Sequence, residues 1–359
     1  MRIVIAPDSF KTTATATEAA QFIAAGLRER LKTEAEIITI PMADGGEGTS
    51  DCFTGHRITL PTTDANGRLS EASYIYDPDT STAYIDVAAA SGLAAVKDHL
   101  LPLTADTYGT GVLIADAQSR GANRIVLGLG GSATTDGGTG ILAALGATAV
   151  TASGLPLRPG GGALTELASI DTAQLNIPAA AVEWVLLVDV TAPATGATDS
   201  AAVFGPQKGA SPEDVELLDQ GLTRLCQVLA IDPTIPGMGA AGGIPIAITW
   251  LSTFLHTNTD HVHILPGAKL VADSTGLVEI APTADVLITG EGRFDEQSAM
   301  GKVVPEVLSL APQAQRFVVA GEFSGSLPTG VVGITLMQLD NVRDQLSQAG
   351  EQIASHLEQ

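Results

Sequence analysis

The apolar residues of this chain come in short runs rich in β-branched side chains. Each run ends in glycine, proline or a polar loop, and stretches of helical periodicity separate them. That pattern belongs to parallel strands buried on both faces and joined by crossover helices, an α/β architecture. Near the two ends of the sequence, Ile3–Ala6, Glu36–Ile40, Val286–Thr289, Phe317–Ala320 and Val331–Leu336 have this character. Ala20, Ile23, Ala24, Leu27 and Leu31 recur at helical spacing within Thr17–Leu31, and Lys302–Leu310 offers a second helix behind a glycine-rich loop. Together these segments predict one open parallel sheet built from residues 1–56 and 283–359.

Between them the texture changes. Ile58–Leu60, Ala72–Tyr76 and Ala83–Val87 read as a meander broken by Asp64-Ala65-Asn66-Gly67 and Asp77-Pro78-Asp79 turns. Strands at Arg124–Leu129 and Trp184–Val188 flank a long Gly/Ala-rich segment. Residues 57–282 are therefore expected to form a second α/β domain inserted into the first. A length of 359 residues suffices for two domains with sizeable cores.

Charge excludes several functions. With 18 Lys+Arg and 40 Asp+Glu the formal net charge is 18 − 40 = −22, which leaves too few cations for nucleic acid or an anionic membrane surface. The apolar start is interrupted by Pro7 and Asp8, too early for a secretory leader, so a cytoplasmic protein is expected. Cys52 and Cys226 are far apart and lie in no metal-binding motif. His256, His261 and His263 lack paired acids or cysteines, and such histidines are most often surface residues.

Four glycine-rich or polar loops each follow a candidate strand, where open α/β sheets bind ligands. The first, Pro7-Asp8-Ser9-Phe10-Lys11, offers an acid, a hydroxyl and a cation before a helix start, or simply its caps. The second, Pro41-Met42-Ala43-Asp44-Gly45-Gly46-Glu47-Gly48-Thr49, sets three glycines among two acids. The third runs from Gly128 to Gly140 with six further glycines or hydroxyls around Gly130, Gly131, Ser132, Ala133 and Thr134, a composition suited to wrapping amides around phosphate oxygens. Gly128-x-Gly130-x-x-Ala133 satisfies a loose dinucleotide fingerprint, but 148–159 lacks the ribose-binding acid, and no Walker A motif is present. The fourth, Thr289-Gly290-Glu291-Gly292-Arg293-Phe294-Asp295-Glu296-Gln297-Ser298, alternates acids and a base. Asp189 ends an apolar strand where a catalytic carboxylate is well placed, and Lys208 is a lone cation in the turn Phe204–Gly209.

At these loops the chain resembles the bacterial glycerate kinases. The matching stretches are Ala6–Lys11, Pro41–Thr49, Gly128–Thr134, Val203–Ala210 and Ile288–Arg293, in the family's order and spanning nearly the whole chain. It departs from the family at Thr135, at Thr191–Gly196 and at Glu296-Gln297-Ser298. The resemblance implies a Rossmann- or flavodoxin-like parallel-sheet domain formed by both termini, with a second α/β domain inserted. It also implies phosphorylation of D-glycerate by ATP with Mg²⁺, on the 2-hydroxyl.

Under that reading Gly130, Gly131, Ser132, Ala133 and Thr134 cradle the ATP phosphates with Lys208 nearby. Asp189 orients or deprotonates the acceptor hydroxyl, and Asp8, Ser9, Lys11, Asp44 and Arg293 bind glycerate. Asp44, Asp136 and Asp295 are the alternative Mg²⁺ contacts. The same glycines would also serve a phosphometabolite-binding module without turnover, or a kinase for a related hydroxy acid, and the oligomeric state stays open. Both expected substrates are anions, so long-range steering by the protein's charge opposes them and binding must rest on local amides, Mg²⁺ and a few cations.

Overall fold

The computed structural model describes residues 1–10, 13–196, 200–295, 302–337 and 341–358. The chain divides into two compact units, Met1–Asp44 with Pro266–Gln359, and Gly45–Leu265. Both breaks fall earlier than the expected 56/57 and 282/283, for reasons that lie in local attachments. Gly45–Ser50 is hydrogen-bonded into the inserted unit, through Gly130 N–H to the Gly45 carbonyl and through Asp86. The helix Gly267–Ser274 instead packs beside the helix Val303–Leu310 of the terminal unit.

The terminal unit holds a five-stranded sheet whose order is Val331–Thr335, Gln315–Phe323, Val286–Phe294, Arg2–Ile5, Glu36–Thr39. Each of its four neighbouring pairs runs parallel. Numbered within this unit, the order is 2-1-3-4-5, the flavodoxin-like arrangement, with its switch point between Arg2–Ile5 and Val286–Phe294. Each expected strand is present; the three central ones are largely buried, while the edge strands Glu36–Thr39 and Val331–Thr335 are mostly exposed or half-buried.

One face is covered by the helices Ala16–Arg30 and Val342–Leu357, which pack Ile23, Leu27, Leu346 and Ile353 onto Ile3, Ile5 and Val319. Thr15 and Glu18 close a capping box at the start of the first helix. The two helices approach through glycine: a Cβ on Gly26 would lie 1.7 Å from the Ser347 carbonyl oxygen, and one on Gly350 would lie 2.2 Å from that of Ile23. Val304 and Leu308 cover part of the other face, against Val318 and Ala320.

The inserted unit has a six-stranded sheet in the order Val262–Pro266, Glu183–Val188, Arg124–Gly128, Thr82–Asp86, Leu69–Asp77, His56–Thr63. The last three form the expected antiparallel meander, while Thr82–Asp86, Arg124–Gly128 and Glu183–Val188 run parallel. Trp184, Tyr74, Leu127 and Ile248 lie in its core. The strand Val262–Pro266 and the small hairpin of Thr148–Val150 with Ser169–Asp171 have no counterpart among the sequence expectations. Among the described residues no helix is long and apolar enough to cross a membrane.

Candidate active site

The register of the inserted sheet brings Asp86, Gly128 and Leu187 side by side at the carboxyl ends of three parallel strands. The third loop leaves from the middle strand of this row. Leu129 donates its N–H to the Leu187 carbonyl at 3.2 Å, and Gly130 donates to that of Gly45 at 2.8 Å. Ala133 then donates to Ser91, and the Gly131 carbonyl accepts from Leu93. The amides of Gly131, Ser132 and Thr134 donate to no group among the described residues. Gly131 has φ +75°, a left-handed value that glycine adopts at no steric cost.

Lys208 supports this loop from inside the protein. It is only 3% exposed, and its Nζ donates to the Thr134 carbonyl at 2.6 Å and to Ser132 Oγ at 3.2 Å. Burial pulls its pKa down to about 8, partly opposed by the charge of Asp136. Thr134 Oγ1 is buried and makes no hydrogen bond. A buried ammonium thus lies behind a loop that presents three amides without partners among the described residues.

Asp136 closes the same loop. Its carboxylate is fully buried and accepts from Thr107 N–H, Thr107 Oγ1, Gly138 N–H and Gly140 N–H at 2.8–3.1 Å. Three of these bonds fall on Oδ2 and one on Oδ1, so Asp136 ties the loop to the start of the helix Thr139–Ala144. Asp106, close by, has its pKa raised to about 6 by burial and by the Asp136 charge.

Asp86 is the residue that sequence reasoning missed. It is 6% exposed and accepts from Gly48 N–H, Ser50 N–H and Ser50 Oγ, each at 3.0 Å. Desolvation outweighs those bonds and raises its pKa to about 7. The available signal was its position: Tyr84-Ile85-Asp86 ends a strand in a carboxylate just as Leu187-Val188-Asp189 does. Asp189 itself follows its strand directly and is half-buried.

The terminal unit assembles a second set of groups at its switch point. Ala6 N–H bonds the Ile288 carbonyl at 2.7 Å, Asp8 N–H bonds that of Gly290 at 2.8 Å, and Thr289 Oγ1 bonds that of Ala6 at 2.8 Å. The first and fourth loops therefore leave the sheet together. Asp8 Oδ1 accepts the Ser9 N–H at 2.6 Å, and Met42 N–H bonds the Pro7 carbonyl, which draws the approach to Asp44 alongside. Arg293 is largely exposed and lies 3.7 Å from Glu322, a solvated pair of small energy. Asp44 and Asp295 are half-buried. Lys11 lies outside the described residues.

Among the described residues no three His, Cys, Asp or Glu side chains cluster as a metal cage. His256 and His261 stack at 4.0 Å between ring centroids, and His263 pairs with Glu183 at 3.4 Å.

The sequence profile of the Glycerate kinase family matches residues 3–358. The chain belongs to the glycerate kinase family. Two curated relatives are a glycerate kinase of Halalkalibacterium halodurans, 40% identical over 91% of this chain and 86% of its own, and a glycerate 2-kinase of Escherichia coli K12, 37% identical over 98% and 92%. A crystal structure assigned as glycerate kinase 2 from Salmonella typhimurium LT2 superposes with a TM-score of 0.80 at 36% identity, covering 100% of this chain and 98% of the other. The family makes this chain an enzyme, a phosphotransferase.

Proposed function

We propose that this kinase transfers the γ-phosphoryl group of ATP to the 2-hydroxyl of D-glycerate in the cytoplasm, giving 2-phosphoglycerate and ADP. The observation that carries the reading is the Gly130–Thr134 loop, with three open amides and the Lys208 ammonium behind it. The 37% identity to a relative named glycerate 2-kinase supports the 2-position. Phosphoryl transfer asks for positioning and charge neutralisation more than covalent chemistry.

In this reading the amides of Gly131, Ser132 and Thr134 take phosphate oxygens, and Lys208 supplies positive potential without leaving the interior. Asp189 orients the acceptor hydroxyl and receives its proton as the oxygen bonds to phosphorus and the bond to the departing ADP oxygen breaks. Asp8, Ser9, Lys11 and Asp44 hold the hydroxyls of glycerate, and Arg293 pairs with its carboxylate.

The donors present suit Mg²⁺, a hard cation that usually takes one or two carboxylates and otherwise phosphate oxygens and water. Asp44, Asp136 and Asp295 are the carboxylates that would hold it, Asp136 through Oδ1, which accepts a single N–H. When bound, Mg²⁺ neutralises charge on the phosphates. Local neutralisation of this kind is needed because the chain's net charge of −22 repels both substrates.

Incubation with ATP, Mg²⁺ and D-glycerate tests the proposal. ADP should form only when glycerate is present, and ³¹P NMR should show the 2-phosphate ester. A 3-phosphate product would overturn the regiochemistry, and thermal shifts with ligands but no ADP would replace turnover by binding alone.

A further inference from the structure

The carboxyl-end row of Asp86, Gly128 and Leu187 is roofed by a segment that lies across it. A Cβ on Gly45 would sit 2.9 Å from the Leu187 carbonyl oxygen. One on Gly128 would sit 2.9 Å from the Gly45 oxygen and 3.0 Å from Asp86 Oδ1, and one on Gly130 would sit 2.7 Å from Gly46 Cα. Gly45–Ser50 therefore touches all three strands. At one end the Gly45 carbonyl holds the Gly130 amide. At the other, Asp86 grips the Gly48 and Ser50 amides and the Ser50 hydroxyl.

We propose that Asp86 is a positioning residue for phosphoryl transfer, anchoring Gly45–Ser50 across the strand ends so that Gly45 holds Gly130 and the phosphate loop in its nucleotide-binding form. The proposal rests on the reading that Gly130–Thr134 holds the nucleotide. A carboxylate suits the task because two N–H groups and one O–H converge on it from a single segment, and two charged oxygens accept all three. Asparagine offers one oxygen and turns its own N–H₂ against one of the amides, leaving a buried donor unpaired. Asp86 therefore keeps its place despite an unfavourable burial, and it touches neither substrate.

The test is steady-state kinetics of the full chain, with ATP and D-glycerate varied separately, for Asp86→Asn, Ser50→Ala and Ser132→Ala. Melting temperatures follow the folded fraction. Asp86→Asn should raise the KM for ATP about tenfold, roughly 1.4 kcal/mol, and leave the KM for glycerate within about twofold. Ser50→Ala, which deletes only one of the three donors, should shift the same constant by about two- to fivefold with little change in melting temperature.

An unchanged KM for ATP in both variants would overturn the proposal, as would losses in Asp86→Asn that follow the folded fraction and spare the ATP constant. If Asp86→Asn does not fold, the Ser50→Ala result decides. Ser132→Ala separates the two readings: an ATP constant raised by Ser132→Ala but not by the Asp86 and Ser50 variants removes Asp86 alone. An ATP constant indifferent to these three and also to Lys208→Met, which removes the buried cation behind the loop, removes the nucleotide assignment of the loop.

Discussion

The ammonium of Lys208 lies 2.6 Å from the carbonyl oxygen of Thr134, in a position only 3% exposed. Among the described residues no carboxylate bonds it directly, and the charge is stabilised by neutral dipoles and by Asp136 at a distance. Lys208→Met keeps the volume and removes the desolvation cost. Stability should hold or rise, while kcat/KM falls about 10²-fold as the loop loses its cation.

The same lysine sets a pH window. Its pKa is about 8 when folded against 10.5 when unfolded, so between those values the unfolded chain binds more protons. Stability should therefore rise with pH across that window, while activity declines above about pH 8 as the charge is lost. Urea midpoints and pH–rate profiles check both, and Lys208→Met should lack the alkaline change in each.

Asp86 works in the opposite sense. Its folded pKa of about 7 exceeds the usual 3.8, so through this window the folded protein keeps a proton that the unfolded chain releases. Its share of the stability should fall as pH rises from about 4 to 7 and level off above. Denaturation from pH 5 to 8 should show a shallower decline in Asp86→Asn than in the wild type.

Asp189→Asn keeps the shape of the strand end but has no basic oxygen to receive a proton. Its kcat should fall about 10²–10⁴-fold with ATP affinity retained, measured by nucleotide titration beside turnover. Near wild-type turnover would remove Asp189 as the base.

Gly26→Ala reverses an ordinary rule. In an open helix the change gains about 1 kcal/mol of propensity. Here the new Cβ would meet the Ser347 carbonyl at 1.7 Å, backbone that yields only if the helices part. The expected net loss is about 1–3 kcal/mol by chemical denaturation, with kcat per folded molecule unchanged.

The strands and the loops behind them were legible because their signals are local. Ile3–Ala6 or Trp184–Val188 announces a buried strand through its own residues, and the glycines of 128–140 announce a loop that must approach something closely. What the sequence did not carry was which loop each buried acid ties down. The bond from Asp136 to Thr107 and those from Asp86 to Gly48 and Ser50 join residues remote in sequence. The boundary at Gly45 was hidden for the same reason: membership of a unit is settled by bonds to Gly130 and Asp86, and no change of composition marks it.

The strand order of the terminal sheet also governs when it can be completed. Arg2–Ile5 can pair with Glu36–Thr39 early in synthesis, but its other edge belongs to Val286–Phe294, made only after the whole of Gly45–Leu265. During translation the nascent chain thus carries an apolar, unpaired strand edge while the insertion is being made and folded. The inserted unit can finish first, and the founding strand of the sheet waits for a neighbour that emerges only after it.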